Sequence, residues 1–257
     1  MTTWAAKSFA FVSGDGYLDK LASIYPAPTP IPRPLNPIER HTLEAALIQT
    51  DDGQLLKALL SLQRFPFNDP YVSFLRRNPE HITTNPQTVK RICGRLRGMG
   101  LENVVKGLEE PKQFNRQMGA LFRNWLRKKY PCIQGPTAFK SSSEPLIFLD
   151  VAGEQLRQFA NQIGCGLQKQ PDFVAKAQGR YVVGEAKFIG TEGGNQNRGF
   201  DDAIKLASSS FKEAVTVAIL DGIVWIPNSG QISKRLANFG GNALTALLLD
   251  DFLASLG

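Results

Sequence analysis

Three residues in the second half of the chain, Asp172, Glu185 and Lys187, have types and a spacing suited to chemistry on a phosphodiester. Glu185 and Lys187 lie two apart in the apolar run "RYVVGEAKF". In a strand they project from one face, while Ala186 points the other way into packing. "PDFVAK" precedes this run, and "AQG" between them is a turn signal that predicts a hairpin. Asp172 then begins the adjacent antiparallel strand, with its carboxylate across from Glu185. Two carboxylates converging on one site repel each other unless a cation lies between them. Oxygen donors of this kind suit Mg2+, which keeps several waters and bridges to phosphate. A lysine beside them supplies a point charge that can hold a water or neutralise a phosphate oxygen. Activated water, charge clamp and positioned phosphate are what phosphodiester hydrolysis requires.

Directly downstream, "FIGTEGGNQNRGF" reads as a loop. Gly193 and Gly194 let backbone approach a partner closely. Asn195, Gln196 and Asn197 offer the paired donor and acceptor of a bidentate adenine contact, and Arg198 matches the acceptor pair of guanine. A turn whose amides satisfy their own backbone is the alternative reading. Lys169 and Gln170, just before the first strand, are further candidates for a phosphate or base contact.

The elements that position these residues follow from periodicity and punctuation. "VAGEQLRQFANQIG" predicts a helix with Asp150 as its cap and Leu156, Phe159, Ala160 and Ile163 facing a core. "DDAIKLASSSFKEA" predicts another helix, "VTVAILDGIVWI" one or two buried strands, and "NALTALLLDDFLASL" a closing amphipathic helix. This order indicates a mixed α/β domain over 131–257. Residues 1–130 read as mainly helical. "YPAPTPIPRPLNP", with six prolines in thirteen residues, is an extended linker. After it come two helical segments broken at Asp51-Asp52-Gly53. Asn85 and Pro86 open another helix that Gly98 or Gly100 ends, and Pro111 starts the next.

The net charge of +7 suggests an acidic partner, and its distribution sharpens the point. Residues 1–130 carry 19 Lys and Arg against 11 Asp and Glu, whereas 131–257 carry 11 against 12. Lys90, Arg91, Arg95 and Arg97 on one predicted helix are candidate phosphate contacts, as are Arg116, Arg123, Arg127, Lys128 and Lys129 on the next. A hydrophobic share of 42% argues against disorder. No apolar run approaches the roughly 20 residues of a bilayer crossing. The first residues lack the charged and apolar regions of a secretion signal, so a cytoplasmic location is expected. Cys93, Cys132 and Cys165, odd in number and widely spaced, predict reduced, buried thiols rather than a zinc site.

Pro171-Asp172, a short separation and an apolar strand ending in "EAK" resemble the PD-(D/E)xK nuclease superfamily. "FIGTEGGNQNRGFDDAI" and the upstream stretch from "NPQTVKRICGRLRGMG" to "FNRQMGALFRNWL" are similar to type II restriction endonucleases over roughly residues 84–211. That resemblance implies a restriction-endonuclease-like core, a central mixed sheet flanked by helices, with a helical N-terminal region. It implies Mg2+ held by Asp172, Glu185 and the Ala186 carbonyl, and Lys187 acting on the attacking water. It adds Glu154, on the preceding helix, as a further catalytic acid. Double-stranded DNA is the implied substrate, with 5′-phosphate and 3′-hydroxyl products, a two-fold homodimer, and a cognate DNA methyltransferase as genetic partner. A structure-specific or repair nuclease on the same core and a non-catalytic, sequence-specific DNA-binding module are the alternatives.

Overall fold

The computed structural model describes residues 2–26, 33–110 and 117–257. Two short helices open the chain, α1 (Trp4–Val12) and α2 (Tyr17–Leu21). Five helices follow: α3 (Pro37–Ile48), α4 (Asp52–Ser61), α5 (Val72–Arg77), α6 (His81–Thr84) and α7 (Pro86–Glu109). The chain then alternates through α8 (Met118–Lys129), β1 (Cys132–Ile133), α9 (Pro136–Ser141), β2 (Leu146–Leu149) and α10 (Gly153–Gln162). It continues with the strands β3 (Phe173–Ala177) and β4 (Arg180–Ile189), then α11 (Gly194–Ala207) and β5 (Ala214–Gly222). The last elements are α12 (Gln231–Ala237), β6 (Ala243–Leu244) and α13 (Leu249–Ala254).

These elements form two compact units, residues 28–112 and residues 1–27 with 113–257. The expected boundary at residue 130 falls within the second of these, because α1, α2 and α8 pack on the sheet rather than with the other helices. The helical unit closes its own core, in which Leu55, Leu56 and Leu59 of α4 meet Ile92, Cys93 and Leu96 of α7. Its predicted punctuation is visible. The Asp51 carboxylate accepts from the N–H groups of Gly53 and Gln54 and starts α4. Gly100 (φ 71°, ψ 163°) interrupts α7, which resumes to Glu109. Asn85 precedes Pro86 as expected, yet its side chain donates back to the His81 carbonyl instead of capping α7.

The other unit is built on a six-stranded sheet in the order β1-β2-β3-β4-β5-β6. β3 runs antiparallel to both β2 and β4, while β1 pairs β2, β5 pairs β4 and β6 pairs β5 in parallel. The β3–β4 hairpin turns at Gln178 and Gly179, both at positive φ (50° and 79°), as a tight two-residue connection demands. Two departures from the expected elements lie nearby. Asp150 does not cap α10, because its carboxylate is taken by the Arg127 guanidinium at 2.7 and 2.9 Å. The predicted closing helix begins late, since Ala243 and Leu244 pair with Ala218 and Ile219 and are drawn into the sheet.

The pleat of β4 sorts its side chains. Tyr181 packs on Phe139 of α9 and Phe159 of α10, so Tyr181, Val183, Glu185 and Lys187 share that face. Phe188 meets Tyr25 on the opposite face, beneath α8. There the buried Asp221 of β5 accepts hydrogen bonds from Tyr25 (3.0 Å), Thr245 (2.6 Å) and the Ala246 N–H (3.3 Å), with Tyr17 at 3.5 Å. Burial raises its carboxyl from the ordinary 3.8 to about 6 against the lowering effect of these donors.

Candidate active site

Asp172 stands one residue before β3, where its N–H donates to the Gly184 carbonyl at 2.9 Å and fixes it opposite Glu185. Gly184 makes this register possible, since a Cβ there would lie 2.1 Å from the ring of Phe173. The Asp172 carboxylate accepts from the Ala186 N–H at 2.9 Å and from Lys187 Nζ at 2.9 Å. Lys187 Nζ also reaches Glu185 Oε1 at 2.6 Å, so one ammonium bridges both acids. Arg123 of α8 approaches Asp172 Oδ1 at 3.9 Å. The three side chains are 19%, 16% and 29% exposed, which leaves a face open to a substrate while removing most of their water.

The electrostatics follow from that burial. Desolvation, reinforced by repulsion from Asp172, raises the Glu185 carboxyl above its ordinary value despite the adjacent Lys187. Burial alone would lower Lys187, but the two carboxylates outweigh it and hold the ammonium above its usual range. Each charge therefore depends on the others.

The donor set fits a hard divalent cation. The Ala186 N–H points to the β3 side, and in an extended strand the carbonyl of the same residue points the same way, so it accompanies the carboxylates. All three donors are oxygens, and Mg2+ needs only one or two protein carboxylates when water and phosphate complete its shell. Among the described residues no three His, Cys, Asp or Glu side chains are placed to hold one metal ion. Glu154 is engaged elsewhere: Arg157 grips it at 2.5 and 3.0 Å, and that hydrogen bonding lowers its carboxyl below the ordinary range. Gln170 lies against Gly153 and bonds Glu154.

The predicted loop is a helix from Gly194, so Asn195, Gln196 and Asn197 occupy the first turn of α11 and Arg198 follows it. The reason is local. Gln196 Oε1 accepts from the Gly190 and Thr191 N–H groups at 2.7 and 3.4 Å, and its amide donates to the Thr191 hydroxyl. Asn197 Oδ1 accepts from the Gly193 N–H at 2.7 Å. These amides bind their own backbone, whereas Asn195 and Arg198 are exposed. Lys169 pairs with Asp202 at 2.7 Å. Arg116 lies outside the described residues.

The basic helix faces are also partly committed. Arg91 pairs with Asp69 at 2.6 Å, Arg97 with Asp52 at 2.5 Å, and Arg95 lies over the Phe67 ring. On α8, Arg127 holds Asp150, and Lys129 pairs with Asp250. Cys132 is exposed, contrary to expectation, while Cys93 and Cys165 are buried free thiols. One acid was not foreseen. Asp202 lines a cavity of about 460 Å³ together with Glu185, and its charge adds to the rise of the Glu185 carboxyl. Its helical spacing from Asn195 and Arg198 is the available signal, legible only once α11 is known to start at Gly194.

A mixed sheet flanked by helices, with two acids and a lysine meeting at the mouth of its central hairpin, is a restriction-endonuclease-like core. The family model described as Tsp45I type II restriction enzyme matches residues 2–256. The chain belongs to that family and is a site-specific deoxyribonuclease. No curated protein and no solved structure matches it.

Proposed function

We propose that this enzyme cuts both strands of a DNA duplex at a short sequence, using Mg2+ at a PD-(D/E)xK site formed by Asp172, Glu185 and Lys187. The observation that carries the reading is the Lys187 ammonium bridging the two carboxylates at 2.9 and 2.6 Å. Asp172, Glu185 and the Ala186 carbonyl hold the metal. When bound, Mg2+ supplies positive charge against the phosphate oxygens and makes water easier to deprotonate. Lys187 orients the attacking water and stabilises charge growing on the phosphate. Arg123, beside Asp172, neutralises a neighbouring phosphate. Attack at phosphorus displaces the 3′-oxygen and leaves 5′-phosphate and 3′-hydroxyl ends.

Asn195 and Arg198 read bases or phosphates from the start of α11, and Lys169 and Gln170 contribute once DNA competes for their present partners. Glu154 is kept as a supporting acid rather than a ligand. A homodimer matches the two-fold symmetry of a duplex site. A methyltransferase of the same sequence specificity is the genetic partner that protects host DNA, and a cytoplasmic location goes with that role. No helix among the described residues is long and apolar enough to cross a membrane.

The deciding experiment is incubation with a long duplex of known sequence, with Mg2+ or with EDTA. Discrete Mg2+-dependent fragments, with ends that ligate only when the 5′-phosphate is kept, are expected. Cleavage that persists undiminished in EDTA would overturn the metal assignment.

A further inference from the structure

The cavity beside Glu185 has a lining unlike the rest of the site. Leu167, Leu206 and Phe211 form apolar wall, Gln168 and Ser209 add donors and acceptors, and Glu185 stands at its margin. Its volume of about 460 Å³ lies within the range of pockets that enclose a small flat ligand. A stacked duplex offers such a cavity groove edges, sugar and charged phosphate, but never the flat face of a base. Apolar walls with a few polar groups suit a nucleobase taken out of the stack, with its faces on hydrocarbon and its edge hydrogen-bonded. The Lys169–Asp202 ion pair, bordering the same cavity, puts an exposed cation beside it for the phosphate of that nucleotide.

We infer that this cavity receives one extrahelical nucleotide of the DNA substrate, next to the bond being cut. The inference rests on the nuclease reading above and adds a requirement to it: the duplex opens at one position before hydrolysis. Removing the pairing partner of that nucleotide lowers the unstacking cost and speeds cleavage.

The test uses the wild-type enzyme with Mg2+ on a duplex carrying its mapped cleavage site. 2-Aminopurine, which brightens when unstacked, replaces in turn each base flanking the cut. One position is expected to brighten several-fold before product forms. An abasic site opposite that position should raise kcat/KM several-fold. Gln168→Trp, which fills the cavity from an exposed position, should lose both the brightening and at least tenfold in kcat/KM. Its Tm should stay at the wild-type value. Normal cutting with no bright position and an unimpaired Gln168→Trp would overturn the pocket while leaving the nuclease reading intact. A wild-type enzyme that cuts no duplex would overturn both.

Discussion

At the scale of residues, the protein contrasts a half-buried acid with a fully buried one. Glu185 shares its low-dielectric site with Asp172 and Lys187 and stays open to solvent on one side, whereas Asp221 is closed in by hydrogen-bond donors. Substituting Lys187 by Ala removes the bridging cation and should cut the cleavage rate about a thousandfold or more. DNA affinity should change less than about tenfold, which a mobility-shift titration beside single-turnover cleavage will show. Asp221 governs pH dependence of a different kind. Its folded pKa, about 6, exceeds its ordinary 3.8, so the folded state binds its proton more tightly than the unfolded state does. Its contribution to stability is full below about pH 4 and is lost as pH rises through about 6. At about 1.4 kcal/mol per pH unit the loss is about 3 kcal/mol. Denaturant melts of wild type and Asp221→Asn should therefore show a stability difference that shifts against wild type by that amount between pH 4 and 7. A pH-independent difference would show that Asp221 is not the titrating group.

Among elements, the β3–β4 hairpin matters most, and it was the most legible. Alternation gave its strands, the Gln178-Gly179 turn gave its register, and Pro171-Asp172 with Glu185 and Lys187 marked its mouth. Gly184 is the hidden member of that arrangement. Gly184→Ala would push a methyl into the Phe173 ring, which Phe122 and Phe148 box in at 6.0 and 5.7 Å. The variant should lose about 1–3 kcal/mol of stability. Because Asp172 precedes Phe173, its cleavage rate should also fall, by about tenfold to a hundredfold at a temperature where it is fully folded. Wild-type cleavage by a destabilised variant would uncouple the ring from the carboxylate. The start of α11 was not legible, because Gly-Gly followed by three amides reads equally as a loop. Gln196 and Asn197 make it a helix by bonding back to Gly190, Thr191 and Gly193, a choice that spacing alone does not disclose.

For the molecule as a whole, charge in the sequence overstated the surface available to DNA. Lys and Arg outnumber Asp and Glu over residues 1–130, but several of them pair with acids distant in the chain, such as Asp52 for Arg97 and Asp150 for Arg127. Such pairings are products of the tertiary fold and leave no local signature. Two substitutions separate structural from DNA-facing cations. Arg97→Ala, which also frees the Gln49 and Thr50 carbonyls, should lower stability and leave the salt dependence of DNA affinity unchanged. Arg123→Ala should reduce the slope of log affinity against log salt by about one, with a small effect on Tm. An unchanged slope for Arg123→Ala would remove it from the phosphate-contacting set.

The clasp around Asp221 also dictates an order of assembly. Ser8 accepts from the Thr245 N–H across 237 residues, and Tyr17 meets Asp221 across 204. α1 and α2 precede β5 in the chain, so these bonds close only once β5 and Thr245 have been synthesised, after Asp172, Glu185 and Lys187 are joined into the chain. Contacts of such long range form slowly, since the intervening chain must close first. Translation thus leaves α1 and α2 to bond to Thr245 and Asp221 late, and a nascent chain that already holds Asp172, Glu185 and Lys187 still lacks that brace.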